Sequence, residues 1–242
     1  MVAATISLTE SQALTALRSF LIGALPSGTD VIRGQVNRVP EPAGPNFIVF
    51  WPIRQERLST NVVTYTDAEV TASIAGTLAT VTQVISGALQ SGGTLIDGSG
   101  VIAANTVISG QLSGSLGGTG TYRVAPSQTV SSETMFSGRR LDLVPTMLTV
   151  QLDVHGPASG DNVRVIEGLF RSEYGTTALG PEVVPLYCEV PKQVPFINAE
   201  QQYEDRWTMD ASVQVNPVIG TPQQFATELE MTLVAVNEAY PP

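Results

Sequence analysis

At 242 residues the chain is long enough to bury a real core, as one large domain or two small ones. It carries 12 basic and 22 acidic residues, a net charge of −10 with Lys192 as the only lysine, which excludes a nucleic-acid grip built on clustered Lys and Arg. The single cysteine, Cys188, excludes an intrachain disulfide and a CxxC zinc site, and no apolar run approaches the ~18 residues of a membrane-spanning helix.

The amino-terminal stretch MVAATISLTESQ has neither the basic flank nor the apolar core of a signal peptide, so synthesis and retention in a cytoplasm are expected. Thr9-Glu10-Ser11-Gln12 fits a capping box. Leu14, Leu17, Leu21 and Leu25 follow at helical spacing, and Pro26 and Gly28 stop the run, predicting a helix over 9–25. Asp30 to Asn37 is expected to form a short strand. The prolines at 40, 42 and 45 make Val39–Pro45 a stiff extended loop, because each removes a backbone donor. Phe47 to Ile53 predicts a buried strand, running on towards Tyr65 as an exposed ribbon.

The segment from Asp67 to Gly138 is unlike its flanks. Arg123 is its only basic residue, against Asp67, Glu69, Asp97 and Glu133. Short apolar stretches (Ala72–Ile74, Ala79–Ile85, Val107–Ile108, Thr121–Val124) alternate with glycines, which predicts many short strands in a small all-β sandwich or barrel. A Gly/Ser linker is rejected because Ile, Val and Leu recur throughout.

Beyond Arg139 the composition returns to normal. Leu148, Val150, Leu152 and Val154 alternate with polar residues as a half-buried strand. Gly156-Pro157-Ala158-Ser159 opens a helix whose apolar face is Val163, Ile166 and Phe170, with Gly175 as its stop. A short strand is expected near Leu186 to Val190. Trp207 to Val215 alternates cleanly, ended by Pro217. Thr221-Pro222-Gln223-Gln224 suggests a short helical turn, and Leu229, Met231, Leu233 and Ala235 a last strand. With residues 67–138 lifted out, these elements form one α+β domain from residues 1–66 and 139–242. It has a single antiparallel sheet with two amphipathic helices on one face, and 67–138 is a β module inserted at a loop tip.

No catalytic constellation emerges. His155, the only histidine, lies two residues from Asp153, and an acid/base pair competes with the blander reading of an exposed polar strand face. Serine is one position too late for a nucleophile elbow at 156–160. On a strand Glu204 and Asp210 fall on one face with Asp205 opposite, and solvated strand-edge carboxylates are expected there rather than a metal site. The Gly-rich turns at 98–100 and 117–120 lack a GK[ST] sequence. Trp51 and Trp207 are expected in the core, and Cys188 as a buried structural thiol. No enzyme, cofactor or metal is expected.

Two stretches carry a resemblance: RGQVNRVPEPAGPNFIVFWPIRQERLSTN at 33–61 and QVPFINAEQQYEDRWTMDASVQVNP at 193–217. With the first helix and VQLDVHGPASGDN at 150–162, they resemble neck or tail-terminator proteins of tailed bacteriophages. The insert resembles a β module that recurs within phage structural proteins. The resemblance implies a structural subunit of the virion, assembled in the host cytoplasm into a ring, commonly a hexamer. The ring terminates the tail tube and joins the tail to the head connector. Its implied partners are further copies of itself, the tail-tube protein, the head-completion or connector protein, and a sheath or collar. DNA passes the lumen without specific binding, and no membrane is involved. Expected contact residues are Arg38, Pro40 and Glu41 in the stiff loop, Arg54, Arg57 and Asn61 on the ribbon, and Tyr203, Glu204 and Arg206 ahead of the last clean strand. The alternative is a decoration or glycan-binding appendage protein acting through the inserted module.

Overall fold

A computed structural model of the chain describes residues 4–35, 42, 44–197 and 203–223. In chain order, β1 (Thr5–Ile6) leads to α1 (Glu10–Ala24), β2 (Asp30–Arg33) and β3 (Phe47–Arg57). The long β4 (Val62–Gly87), the short β5 (Thr94–Asp97) and β6 (Val107–Gly114), and the long β7 (Gly120–Leu143) come next. Then come β8 (Thr146–His155), α2 (Ser159–Phe170), α3 (Glu173–Leu179) and β9 (Val183–Cys188). The two-residue strands β10 (Lys192–Gln193), β11 (Phe196–Ile197) and β12 (Tyr203–Glu204) precede β13 (Arg206–Val215) and β14 (Val218–Pro222). Two compact units result. A helical unit comprises Thr5–Val63 and Asp142–Ile219. A glycine-rich unit is built on Thr64–Leu141 and, among the described residues, takes in Ala4 and Gly220 to Gln223.

The helical unit is organised by one sheet in the order β10-β13-β8-β3-β2, with β9 also on β13. β3, β8 and β13 are antiparallel in turn, with Ile48 opposite Val154 and Val154 opposite Trp207. β2 joins β3 in parallel. Strand alternation puts Ile48, Phe50, Leu148, Val150, Leu152, Val154, Met209, Ala211 and Val213 on one face, all buried in a single core. The helices supply the rest of that core. Leu14, Leu17, Phe20 and Leu21 come from α1, and Val163, Ile166 and Phe170 from α2. Phe20 meets Phe170 edge-on at 5.8 Å. Each such side chain, fully buried, contributes ~1.5–3 kcal/mol. The capping box is formed: Gln12 N donates to Thr9 Oγ1 at 3.3 Å, and Thr9 N to Gln12 Oε1 at 2.8 Å.

The glycine-rich unit is built on a second sheet, in which β7 is bordered by β4 and β5, β5 by β6, and the end of β14 from Gly220 joins β7. Its core is Val70, Ile74, Val81, Leu95, Ile108, Tyr122, Val124 and Met135 with small Ala68, Ala72 and Ala79 between them. β4 is 26 residues long and returns on itself. Thr82 Oγ1 donates to the Thr71 carbonyl at 3.2 Å, and Gly87 lies against the Asp67 carbonyl. The reversal falls at Gly76, whose φ of +67° suits glycine. The loop after β5 is pinned by Gln128, which accepts from Ala103 N at 2.8 Å and donates to Thr106 Oγ1 at 2.7 Å.

Several expectations are corrected. The α+β class with two helices on one face gives way to a predominantly β chain, with two six-stranded sheets, one two-stranded sheet and three helices among the described residues. Gly76 does mark a reversal, but the many short strands expected in 67–138 give way to the long β4 and β7, of 26 and 24 residues. Gly175 does not stop a helix. It sits in α3, close to the Phe170 carbonyl, and Gly180 at φ +81° ends that helix instead. Thr221 and Pro222 extend β14 as a strand, where a helical turn is expected. Trp51 points to the opposite face from Ile48 and Phe50 and is half-buried beside Gly34, outside the core. Gln224 and the alternation from Leu229 to Ala235 lie outside the described residues.

Candidate assembly surfaces

The expected contact residues separate into two places on the helical unit. Arg57 and Thr146 are opposite at one end of the β3/β8 pair, and Phe47 and His155 at the other. The nine steps of β8 between them put these ends roughly 30 Å apart.

At the Arg57 end, Arg54 pairs with Glu56 at 2.7 Å on the face away from the helices. Arg57 donates to the side-chain oxygen of Asn61, and Asn61 Nδ2 donates to Asp142 Oδ1 at 3.3 Å. Arg54, Arg57 and Asn61 are therefore brought together, in an exposed cluster. Arg33 joins its margin through Glu10 at 3.1 Å, and Gln55 Nε2 donates to the same carboxylate at 2.7 Å.

At the other end, Glu204 and Arg206 hold the two residues that suggested acid/base chemistry. His155 Nδ1 lies within hydrogen-bond distance of Glu204 Oε1, at 2.8 Å. Arg206 forms an ion pair with Asp153. Phe47 stacks on the imidazole at 4.5 Å between centroids. Asp153 is 3% exposed and His155 8%, which overturns the reading of an exposed polar strand face. The alternation rule places them away from the helical core correctly, but side chains from β3, β12 and β13 cover them. Each is tied to its own charged partner, which locks β12 to β8. Tyr203 is 83% exposed beside them. Arg38, Pro40 and Glu41 lie outside the described residues.

The strand expected near Leu186 to Val190 is found as β9, but sequence reasoning missed that its edge is a third surface. Val183 and Cys188 face the core, while Leu186 and Tyr187 are exposed, flanked by exposed Glu182 and Glu189. The mixed apolar and acidic spacing in PEVVPLYCEVP is the signal that could have found it, since a fully buried strand would not be bracketed by carboxylates. A groove of about 450 Å³ runs beside β9, lined by Phe170, Arg171, Thr176, Leu186 and Tyr187. Arg171 Nε donates to Cys188 Sγ at 3.2 Å, and that bond to the buried thiol raises the guanidinium pKa further. On the same sheet, burial first and then the nearby Glu189 push the Asp210 carboxyl above its ordinary range.

The glycine-rich unit holds a separate cavity of about 230 Å³, lined by Asp67, Glu69, Thr94, Phe136 and Gln223. Among the described residues no group of three or more His, Cys, Asp and Glu is arranged to hold a metal ion.

No curated protein matches the chain. A family described as phage neck terminator protein matches residues 118–236, a span containing the stretches at 150–162 and 193–217 that carry the resemblance, but not 33–61. Over residues 118–236 the chain is similar to the neck terminator proteins of tailed bacteriophages.

Proposed function

We propose that this chain is a structural subunit of the phage neck that assembles into a ring, a hexamer by the family resemblance, closing the tail tube and joining it to the head connector. The observation that carries the reading is the family match over residues 118–236. The geometry of the helical unit supports it. Its two sheet edges carry different residues, so copies meeting edge to edge do so head to tail, and such contacts close into rings. The charge supports it as well. A chain at −10 with one lysine repels the phosphate backbone, and DNA moves through such a ring without being held. The partners in this reading are the tail-tube protein on one side and the head-completion or connector protein on the other, with a sheath or collar as a further neighbour. The site is the virion neck, reached by assembly in the host cytoplasm.

The test adds the purified full-length chain to polymerising tail tubes and images the products. The expected result is ring-shaped oligomers in solution and tubes that stop growing with a ring at one end. A stable monomer with no affinity for tail tubes overturns the proposal.

A further inference from the structure

The sheet of the helical unit ends on two different edges at the same height. β2 reaches only to Arg33, opposite Phe50, so among the described strands β3 from Trp51 to Arg57 has a neighbour, β8, on one side only. Across the sheet, β9 is likewise bordered by β13 alone. The registers line up Arg57, Thr146, Val215 and Val183 in a single row, so the two open edges are the two ends of that row.

The charges at those ends are complementary. Arg54 is neutralised by Glu56, and Lys192 by Glu189 at 3.4 Å. Arg57 bonds to the neutral Asn61 side chain and pairs with no carboxylate among the described residues. Glu182, adjacent to Val183, is exposed and has no ion-pair partner among the described residues. One edge therefore presents an arginine and the other a carboxylate, each without a counter-charge among the described residues of its own chain.

Strand direction permits the two edges to meet. β3, β8, β13 and β9 are each antiparallel to the next, so β3 and β9 run in opposite senses. A second copy displaced along the row by four strand spacings, ~19 Å, brings its β9 antiparallel to β3 without inversion. The Val183 position then falls beside Arg57, with Glu182 one residue away. Pro52 and Pro185 remove a backbone donor from each edge, so side chains carry the specificity. In that register the exposed Ile53 on one edge falls near the exposed Leu186 and Tyr187 on the other.

We infer that copies of this chain join through the β3 edge of one and the β9 edge of the next, with Arg57 paired to Glu182 of the partner subunit. The inference rests on the ring reading above. Its test is the oligomeric mass of full-length protein, across concentration, for wild type, Arg57→Glu, Glu182→Arg, the double variant, and an equimolar mixture of the two single variants. Each single variant should assemble at least ~10-fold more weakly, because like charges then meet at every contact. The double variant and the mixture should both recover, since each restores opposite charges. The recovery also shows that the single variants are folded. If wild type assembles and the single variants assemble equally well, this interface is wrong while the ring reading stands. If wild type stays monomeric at every concentration, the ring reading itself falls.

Discussion

The two units solve the same problem with different materials. In the helical unit a sheet buries one face under three helices, and its core is filled by large side chains such as Phe20, Phe50, Phe170 and Leu152. Among the described residues of the glycine-rich unit no helix is present, and Tyr122 is the only aromatic ring in the buried core, beside Val70, Ile74 and small alanines. The difference explains the missing charge of residues 67–138. Charged side chains solvate the outer surfaces of the helical unit. In the glycine-rich unit hydroxyls serve instead, folding back on neighbouring strands. Ser91 Oγ donates to the Ser109 carbonyl at 3.0 Å, and Ser109 Oγ to the Arg123 carbonyl at 3.1 Å. Ser113 and Thr121 hydroxyls share a bond of 2.6 Å. Short hydroxyls meet the polarity requirement of strands without the rotamer entropy of long charged chains.

The comparison breaks most visibly by emptying the core of one unit. Phe50 is 1% exposed at the centre of the helical core, and Phe50→Ala should cost ~3–5 kcal/mol. Both tryptophans, Trp51 and Trp207, lie in the helical unit, so tryptophan fluorescence reports that unit alone. Its urea midpoint should fall sharply, while amide protection at Val70 and Val124 stays as in wild type. If protection at those amides falls in step, the chain unfolds as one block and the contrast between the units is only architectural.

Which parts were legible follows from the same contrast. α1 could be read because capping and a four-residue apolar repeat are both local, and Thr9 and Leu14 to Leu21 act as their spacing implies. β8 and β13 could be read because one face is buried, which makes alternation strict. α3 was hidden, since a seven-residue helix carries too little periodicity, and Gly175, normally a stop, is tolerated where it packs on the end of α2. β4 was hidden for the opposite reason. Gly76 does mark the reversal, as a turn signal should, but the arms it joins run to 26 residues in all, far longer than the short strands that the glycine spacing implies. Of the contact residues, Arg54, Arg57 and Asn61 were legible as a group on an exposed ribbon. The pairing of Glu204 and Arg206 with His155 and Asp153 was not, because it joins residues 49 and 53 positions apart.

Glycine substitution sharpens the contrast at a smaller scale. Gly87 has φ +67° and its Cα faces the Asp67 carbonyl, so Gly87→Ala adds backbone strain and a clash. It should destabilise the glycine-rich unit by ~1–3 kcal/mol, read as faster exchange at Val70 and Ala72. Gly168 in α2 has open space where a side chain would go, and Gly168→Ala should stabilise the helical unit by up to ~1 kcal/mol, read by tryptophan fluorescence in urea. Effects of the same sign in both units would mean that glycine plays one role throughout the chain.

The smallest expected effect is a difference of sign in pH dependence. In the glycine-rich unit burial pushes the Asp97 carboxyl up, but its hydrogen bonds outweigh that and leave its pKa lowered. It accepts from Ser99 Oγ at 2.6 Å, Val101 N at 2.7 Å and Ile102 N at 3.3 Å. A depressed folded pKa adds stability above the unfolded value, ~3.9, that is lost as pH falls through the folded one. Asp210 in the helical unit is raised, first by burial and then by Glu189, so its stability contribution is full below the unfolded value and lost as pH rises through the folded one. Asp97→Asn should therefore weaken its unit at neutral pH and converge on wild type in acid. Asp210→Asn should strengthen its unit at neutral pH and likewise converge in acid. Urea midpoints of both variants between pH 3 and 7, read by exchange for the first and by fluorescence for the second, decide it. Equal signs would show that the loop bonds at Asp97 do not favour its charged form, and that hydroxyl and backbone donors in the glycine-rich unit do less than the geometry implies.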